Sequence, residues 1–163
     1  MDCTLRPAVP EDLNVILSWI ENPEMLKRWG GALLTFPPDA QKTWNEIQTT
    51  SKDTFSLIDQ DGNVIGFAQT SIKEPGSVHL GRIIVSPTLR GLGLGRRLLK
   101  QLIQLVLSKN EVERITLNVY RDNHAAYSLY KSLGFAVVSE DDVQHSYGMC
   151  LQMKSTRGNA SEK

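Results

Sequence analysis

Val85-Ser86-Pro87-Thr88-Leu89-Arg90-Gly91-Leu92-Gly93-Leu94-Gly95-Arg96-Arg97 is the stretch on which the reading of this chain turns. It leaves a strand-like run over residues 78–85, which Ser86-Pro87 closes. It leads into Leu98, Leu102, Leu105 and Val106, whose spacing predicts a helix over residues 94–107. A glycine-rich turn between a strand and a helix has a physical meaning. The first amides of a helix have no partner inside it, and the helix dipole is positive at that end. Glycine lets an anion approach those amides closely. Two phosphate-loop patterns fail on the residues themselves. Gly95 is followed by Arg96-Arg97 rather than Lys-Ser/Thr, so there is no Walker loop. Gly91-Leu92-Gly93 begins a dinucleotide fingerprint, but its last glycine position holds Arg96. The remaining alternatives are a different anion loop or a tight left-handed turn without a ligand.

Working outward from the turn, the upstream half reads as helices followed by hairpins. Leu5-Arg6-Pro7-Ala8 reads as an edge strand. Leu13, Ile16, Leu17 and Ile20 lie at helical spacing, with Asn22-Pro23 as the expected stop. Met25, Leu26 and Trp29 suit a second short helix broken by Gly30-Gly31. Trp44 and Ile47 share a face of a third helix after Pro37-Pro38-Asp39. Strands over 54–59 and 64–70 flank the hairpin turn Asp61-Gly62-Asn63, and Pro75-Gly76 makes the next turn. Downstream the order becomes strand, helix, strand: a buried strand over 114–119, a helix over 123–133 stopped by Gly134, then strands over 135–138 and 146–153. Antiparallel hairpins are thus expected first and parallel crossover units after them. Residues 1–153 make one domain, and residues 154–163 a polar tail. The Asn159-Ala160-Ser161 triplet in that tail is a chance sequon.

Arg90, Gly93 and Gly95 fit the Arg/Gln-x-x-Gly-x-Gly/Ala signature of the GNAT superfamily of N-acetyltransferases. Asn123, Ala126, Leu129, Tyr130, Gly134 and Phe135 match that superfamily's second cofactor region, an Asn-x-x-Ala followed by Leu-Tyr-x-x-x-Gly-Phe. With both motifs in order, the chain resembles the superfamily over residues 54–153, most sharply between 80 and 135. The resemblance implies an α/β fold of mixed α+β type. A twisted, mostly antiparallel sheet of six to seven strands would be flanked by helices, with a central strand pair splayed near Val85 and Val119. Acetyl-CoA would lie between the splayed strands. Its pantetheine arm would pair with Ile83, Ile84 and Val85. Its pyrophosphate would meet the amides of Arg90, Gly91, Leu92, Gly93, Leu94, Gly95 and Arg96. Asn123, Ala126 and Tyr130 would complete the cofactor site.

The implied reaction is attack of a neutral amine on a thioester in a ternary complex. By resemblance the backbone amide of Val85 is the oxyanion donor, and Tyr130 is the acid facing the cofactor sulfur, protonated at neutral pH. Many relatives use a glutamate base, but the corresponding positions hold His79 and Asn118. Asn118 cannot take a proton. His79 could, since an unperturbed imidazole has a pKa of about 6.5, and it alternates with Gly81, Ile83 and Val85 along one strand face. A partly exposed strand histidine and a water-mediated route are the competing readings, and Glu74 is a weaker base candidate. The acceptor wall would come from the N-terminal helices through Trp19, Asn22, Met25 and Trp29, with Asn118 of the later strand as a further acceptor contact, although both tryptophans also suit core positions.

Bulk properties narrow the class. The chain has 18 basic and 18 acidic side chains, a net charge of zero that disfavours nucleic acid as a partner. No apolar run is long enough for a membrane span, and no signal-peptide core is present, so a cytoplasmic protein is expected. Cys3 and Cys150 have no metal spacing around them, and the His124 and His145 contexts add none, so no metal is expected. Glu140-Asp141-Asp142 reads as a solvated loop. The function expected is acetyl transfer from acetyl-CoA to a primary amine of a small molecule or peptide, by a monomer or homodimer. The alternative is a CoA-binding sensor without turnover.

Overall fold

The structure is a computed structural model that describes residues 2–48, 52–109 and 111–153. The tail and its sequon lie outside the described residues. Among the described residues the strands and α-helices follow in chain order, with a 3-10 turn at Pro87–Leu89 between β4 and α4: β1 (Cys3–Pro7), α1 (Asp12–Ser18), α2 (Pro23–Gly30), α3 (Ala40–Ile47), β2 (Lys52–Asp59), β3 (Val64–Glu74), β4 (Ser77–Val85), α4 (Leu94–Lys109), β5 (Arg114–Tyr120), α5 (His124–Ser132), β6 (Ala136–Asp141) and β7 (Ser146–Gln152). The seven strands hydrogen-bond in the order β1-β2-β3-β4-β5-β7-β6. This is a mixed α/β architecture with a mostly antiparallel sheet. The chain divides into two compact units, Met1–Thr70 with Arg82–Ile103, and Ser71–Gly81 with Gln104–Lys163.

In the first unit, β1 lies at the sheet edge and pairs antiparallel with β2. Leu13, Ile16, Leu17 and Ile20 are buried with Leu26, Trp29, Ile47 and Phe67 in one cluster. The helical spacing therefore marked the buried face correctly. Asn22-Pro23 has a different role from the one expected. α1 already stops at Ser18, and Asn22 opens α2, its Oδ1 accepting from the Met25 amide at 2.9 Å while Pro23 takes the first helical position. An extended asparagine followed by proline satisfies a helix start, where the missing N–H is no loss. Asp39 caps α3 in the same way through the Lys42 amide at 3.0 Å. One ionic node ties three elements together. Asp12 accepts from both terminal nitrogens of Arg6 (2.7 and 2.9 Å), from the Val9 amide (3.0 Å) and from the Ser56 hydroxyl (2.8 Å). Burial alone would raise the Asp12 carboxyl, but these donors outweigh it and hold it below the ordinary carboxylate range.

In the second unit, β4 pairs parallel with β5 over Ser77–Leu80 and Arg114–Leu117, and β5 pairs antiparallel with β7. The expected run of crossover units needs correction here. α5 connects β5 to β6, but β7 fills the space between them and pairs antiparallel with both. A spacing rule detects the helix but not which later strand inserts beside it. Glu140 and Asp141 belong to β6 rather than to a loop, and the connection to β7 begins at Asp142. β5 is half-buried in alternation, with Asn118 exposed, rather than buried throughout.

Candidate active site

The glycine turn is built for close approach to its backbone. Gly91 and Gly93 have φ of +83° and +77°, a region that costs residues with a Cβ roughly 1–2 kcal/mol. A Cβ built on either has no heavy atom within 4 Å. The need for glycine is thus conformational, and the space beside each is open. The first α4 hydrogen bond runs from the Arg97 amide to the Gly93 carbonyl at 3.1 Å, so the amides of Leu94, Gly95 and Arg96 precede it. The first turn of α4 holds no acidic side chain, and instead Arg96 and Arg97 stand there. Cations at the positive end of a helix dipole are unfavourable unless an anion joins them. Leu94 is buried and anchors the turn, whereas Leu92 is exposed.

β4 leads into this turn, and its end has a definite polarity. The Ser86 amide donates to the Ile65 carbonyl of β3 at 2.9 Å. Amides of successive extended residues point to opposite sides, so the Val85 amide points away from β3. Three residues earlier, Arg82 has φ of +49°, a left-handed backbone inside a strand. The expected alternation of His79 and Gly81 with Ile83 and Val85 does not carry through such a residue, because face alternation requires extended backbone on both sides. Arg82 donates from Nη1 to Gln69 Oε1 at 2.6 Å and from Nη2 to the Gly30 carbonyl at 2.9 Å. Its own carbonyl accepts from Trp29 Nε1 at 3.0 Å. Its Nε is buried without a hydrogen-bond partner among the described residues, and burial lowers the guanidinium pKa. A left-handed arginine and an unpaired buried donor each cost of order 1 kcal/mol or more. This node was missed in the sequence. Its one local signal was an arginine amid Leu80, Ile83, Ile84 and Val85.

In the second unit, Tyr130 is buried on α5, its ring tilted 57° against Phe135 with centroids 6.1 Å apart. Desolvation pushes its phenol up to about 12. Asn123 caps α5, its Oδ1 accepting from the Ala126 amide at 3.3 Å. Its side chain thus has a structural task whatever else it contacts. His79, half-buried on β4, lies opposite Thr116 in register, with Nδ1 2.8 Å from Thr116 Oγ1. Asn118 is exposed on β5, and a Cβ on Gly148 would lie 3.6 Å from its Oδ1.

The acceptor-wall candidates divide among tasks. Trp29 is a core residue, 9% exposed, stacked at 57° on Phe67 with centroids 5.7 Å apart. It belongs to the packing that the helical spacing also allowed. Trp19 and Met25 are half-buried against that core, and Asn22 is exposed and engaged as a cap. Nearby, a cavity of about 410 Å³ is lined by Asn14, Leu17, Ser18, Ile20 and residues 36–40. Among the described residues no three His, Cys, Asp or Glu side chains are grouped as metal ligands. No helix of the described residues is long and apolar enough to cross a membrane.

The profile of the acetyltransferase (GNAT) family matches residues 17–135. The chain belongs to that family. It is an acetyl-CoA-dependent N-acetyltransferase, and the family match spans the glycine turn together with the Asn123 and Tyr130 region. Among curated relatives, an N-acetyltransferase 9-like protein of Nematostella vectensis is 29% identical over 140 residues, covering 77% of this chain and 70% of that one. A mycothiol acetyltransferase of Salinispora tropica is 37% identical over 138 residues, covering 80% of this chain but only 43% of its own length. Among solved structures, spermidine N-acetyltransferase from Vibrio cholerae in complex with CoA and spermine superposes with a TM-score of 0.76 at 21% identity, covering 92% of this chain and 95% of that one. The ribosomal-protein-S18-alanine N-acetyltransferase of Escherichia coli gives 0.69 at 27% identity, covering 95% and 97%. The family therefore has the fold expected from the two motifs.

Proposed function

We propose that this acetyltransferase moves the acetyl group of acetyl-CoA onto a primary amine of a small molecule or peptide by direct attack in a ternary complex. The observation that carries the reading is the glycine turn: two left-handed glycines, open space beside them, and a helix whose first turn carries no acidic residue of its own. That arrangement suits a pyrophosphate held by the amides of residues 90–96. The backbone of residues 83–85 takes the pantetheine arm, and the Val85 amide, pointing away from β3, donates to the developing oxyanion. Asn123, Ala126 and Tyr130 complete the cofactor contacts.

In the reaction the amine lone pair attacks the thioester carbonyl carbon. The tetrahedral intermediate collapses with cleavage of the C–S bond, the electron pair leaves on sulfur, and the new amide nitrogen loses one proton. Tyr130 is protonated across the physiological range, its phenol held up at about 12 by burial. A thiolate with the ordinary thiol pKa of about 8.5 is a weaker base than that phenolate. Tyr130 therefore stabilises the leaving sulfur by donating a hydrogen bond, and the proton that finally rests on sulfur comes from the amine or from water. His79 is the candidate base, with Nδ1 beside Thr116, and water-mediated deprotonation is its competitor. Amine acceptors are supported by the relatives, which include a spermine/spermidine N(1)-acetyltransferase of Bacillus subtilis and an aminoglycoside N(6')-acetyltransferase of Klebsiella pneumoniae. Trp19, Asn22 and Met25 are the proposed acceptor contacts, and Asn118 is a further candidate. A cytoplasmic setting is part of this reading.

The test is titration calorimetry with acetyl-CoA and CoA, followed by a primary-amine panel of polyamines, aminoglycosides and peptide N-termini. Micromolar binding with turnover of one amine class is expected. Binding without turnover on any amine would favour a sensor, and no binding to folded protein would refute the site.

A further inference from the structure

We infer that Arg82 is a positioning residue that sets the direction of the Val85 amide by locking the end of β4 to the C-terminal end of α2. This rests on the reading of Val85 as oxyanion donor. Three contacts converge on one strained residue. The Arg82 backbone is left-handed at φ +49°, where nothing about a strand interior calls for such a conformation. Its carbonyl is held by the Trp29 indole at 3.0 Å. Its guanidinium spans Gln69 of β3 at 2.6 Å and the Gly30 carbonyl at 2.9 Å. Gly30 is the last residue of α2, whose final carbonyls have no partner inside the helix, and a cation suits that end of the dipole. Trp29 in turn is packed on Phe67 in the core.

The consequence is geometric. A left-handed residue redirects every peptide plane that follows it, so the orientation of the Val85 amide depends on the conformation three residues earlier. Gly81 precedes Arg82, but the left-handed residue is the arginine itself. Among the described residues, the Trp29 indole holds its carbonyl, and its guanidinium makes two further hydrogen bonds. Lysine cannot reproduce two fixed donors in a planar fork. Persistence of an unfavourable backbone where surrounding groups hold it is the pattern of strain kept for use.

The test is backbone amide NMR of the full chain, titrated with acetyl-CoA and separately with CoA, for wild type, Arg82→Met, Arg82→Lys and Trp29→Phe. In wild type, the amides of residues 93–96 respond to both ligands, and Val85 responds further to acetyl-CoA, whose carbonyl CoA lacks. In Arg82→Met and Trp29→Phe, the responses at 93–96 persist while the acetyl-specific shift at Val85 falls to less than about half, with Arg82→Lys intermediate; misplacement on the order of 1 Å is enough to weaken such a contact. Trp29→Phe keeps an aromatic ring against Phe67 while removing the indole donor and part of the buried ring, and it serves should Arg82→Met not fold. An unchanged acetyl-specific shift at Val85 in these variants overturns the positioning role alone. A wild-type protein whose residues 93–96 respond while Val85 ignores the acetyl group overturns the oxyanion assignment, and the inference with it.

Discussion

Placing a carboxylate on Gly93 separates the ligand-binding role of the glycine turn from its folding role. Gly93 has φ of +77° and open space where a Cβ would go, so any side chain incurs backbone strain and little steric clash. That strain is roughly 1–2 kcal/mol, which for a chain of this size lowers Tm by roughly 2–8 °C. Gly93→Ala therefore measures the conformational cost alone. Gly93→Glu carries the same strain and adds a negative charge at the proposed pyrophosphate site. At an effective dielectric of about 20, two unit charges about 4 Å apart repel by about 4 kcal/mol, and a flexible side chain that swings toward solvent keeps about half of that. Acetyl-CoA affinity is expected to fall roughly 30- to 1,000-fold relative to the alanine variant, with equal melting temperatures. Calorimetric titration of both variants at two salt concentrations checks this, since the penalty shrinks as ions screen it. Affinity in the glutamate variant within about threefold of the alanine variant would refute the phosphate assignment of the turn.

Tyr130→Phe is expected to lower turnover about 100-fold with a much smaller loss of acetyl-CoA affinity, because the lost donor acts chiefly on the departing sulfur; normal turnover would remove the residue from the chemistry. The same variant alters the alkaline stability profile. The folded phenol is pushed up to about 12, so its contribution is complete below the unfolded value near 10 and is lost as pH rises from about 10 to about 12, a span of about 3 kcal/mol. Denaturant midpoints across that range should fall more steeply in wild type than in Tyr130→Phe. Asp12→Asn should destabilise the fold by about 2–4 kcal/mol at neutral pH, since it weakens four hydrogen bonds at once. Because the Asp12 carboxyl is held below its unfolded value, its contribution is present above about pH 4 and is lost as pH falls through the folded pKa, so the variant's acid-unfolding curve should be flatter. His79→Gln should preserve cofactor binding and flatten the acidic limb of the pH–rate profile, whereas an unchanged limb would point to deprotonation through water.

The features legible in the sequence were those encoded within a few residues. Helical spacing marked Leu13, Ile16, Leu17 and Ile20 as one buried face, and the structure buries all four. Gly91 and Gly93 announced a left-handed turn because only glycine adopts that backbone cheaply. Asn123 and Gly134 bracketed α5 as its start and stop. Tertiary structure decided matters in which distant segments choose each other. Trp29 and Trp19 sit at equivalent helical spacing, yet only Trp29 enters the core, because Phe67 and the Arg82 carbonyl meet its ring and its N–H. β7 inserts between β5 and β6, a choice made by hydrogen-bond partners that lie well apart in the chain. Arg82 looked like an ordinary strand residue, yet its left-handed backbone meets Trp29 and Gly30 of α2 and Gln69 of β3, two segments remote from it in the chain. Local chemistry determines what a residue can do, and the packing of remote segments determines which of those options is realised.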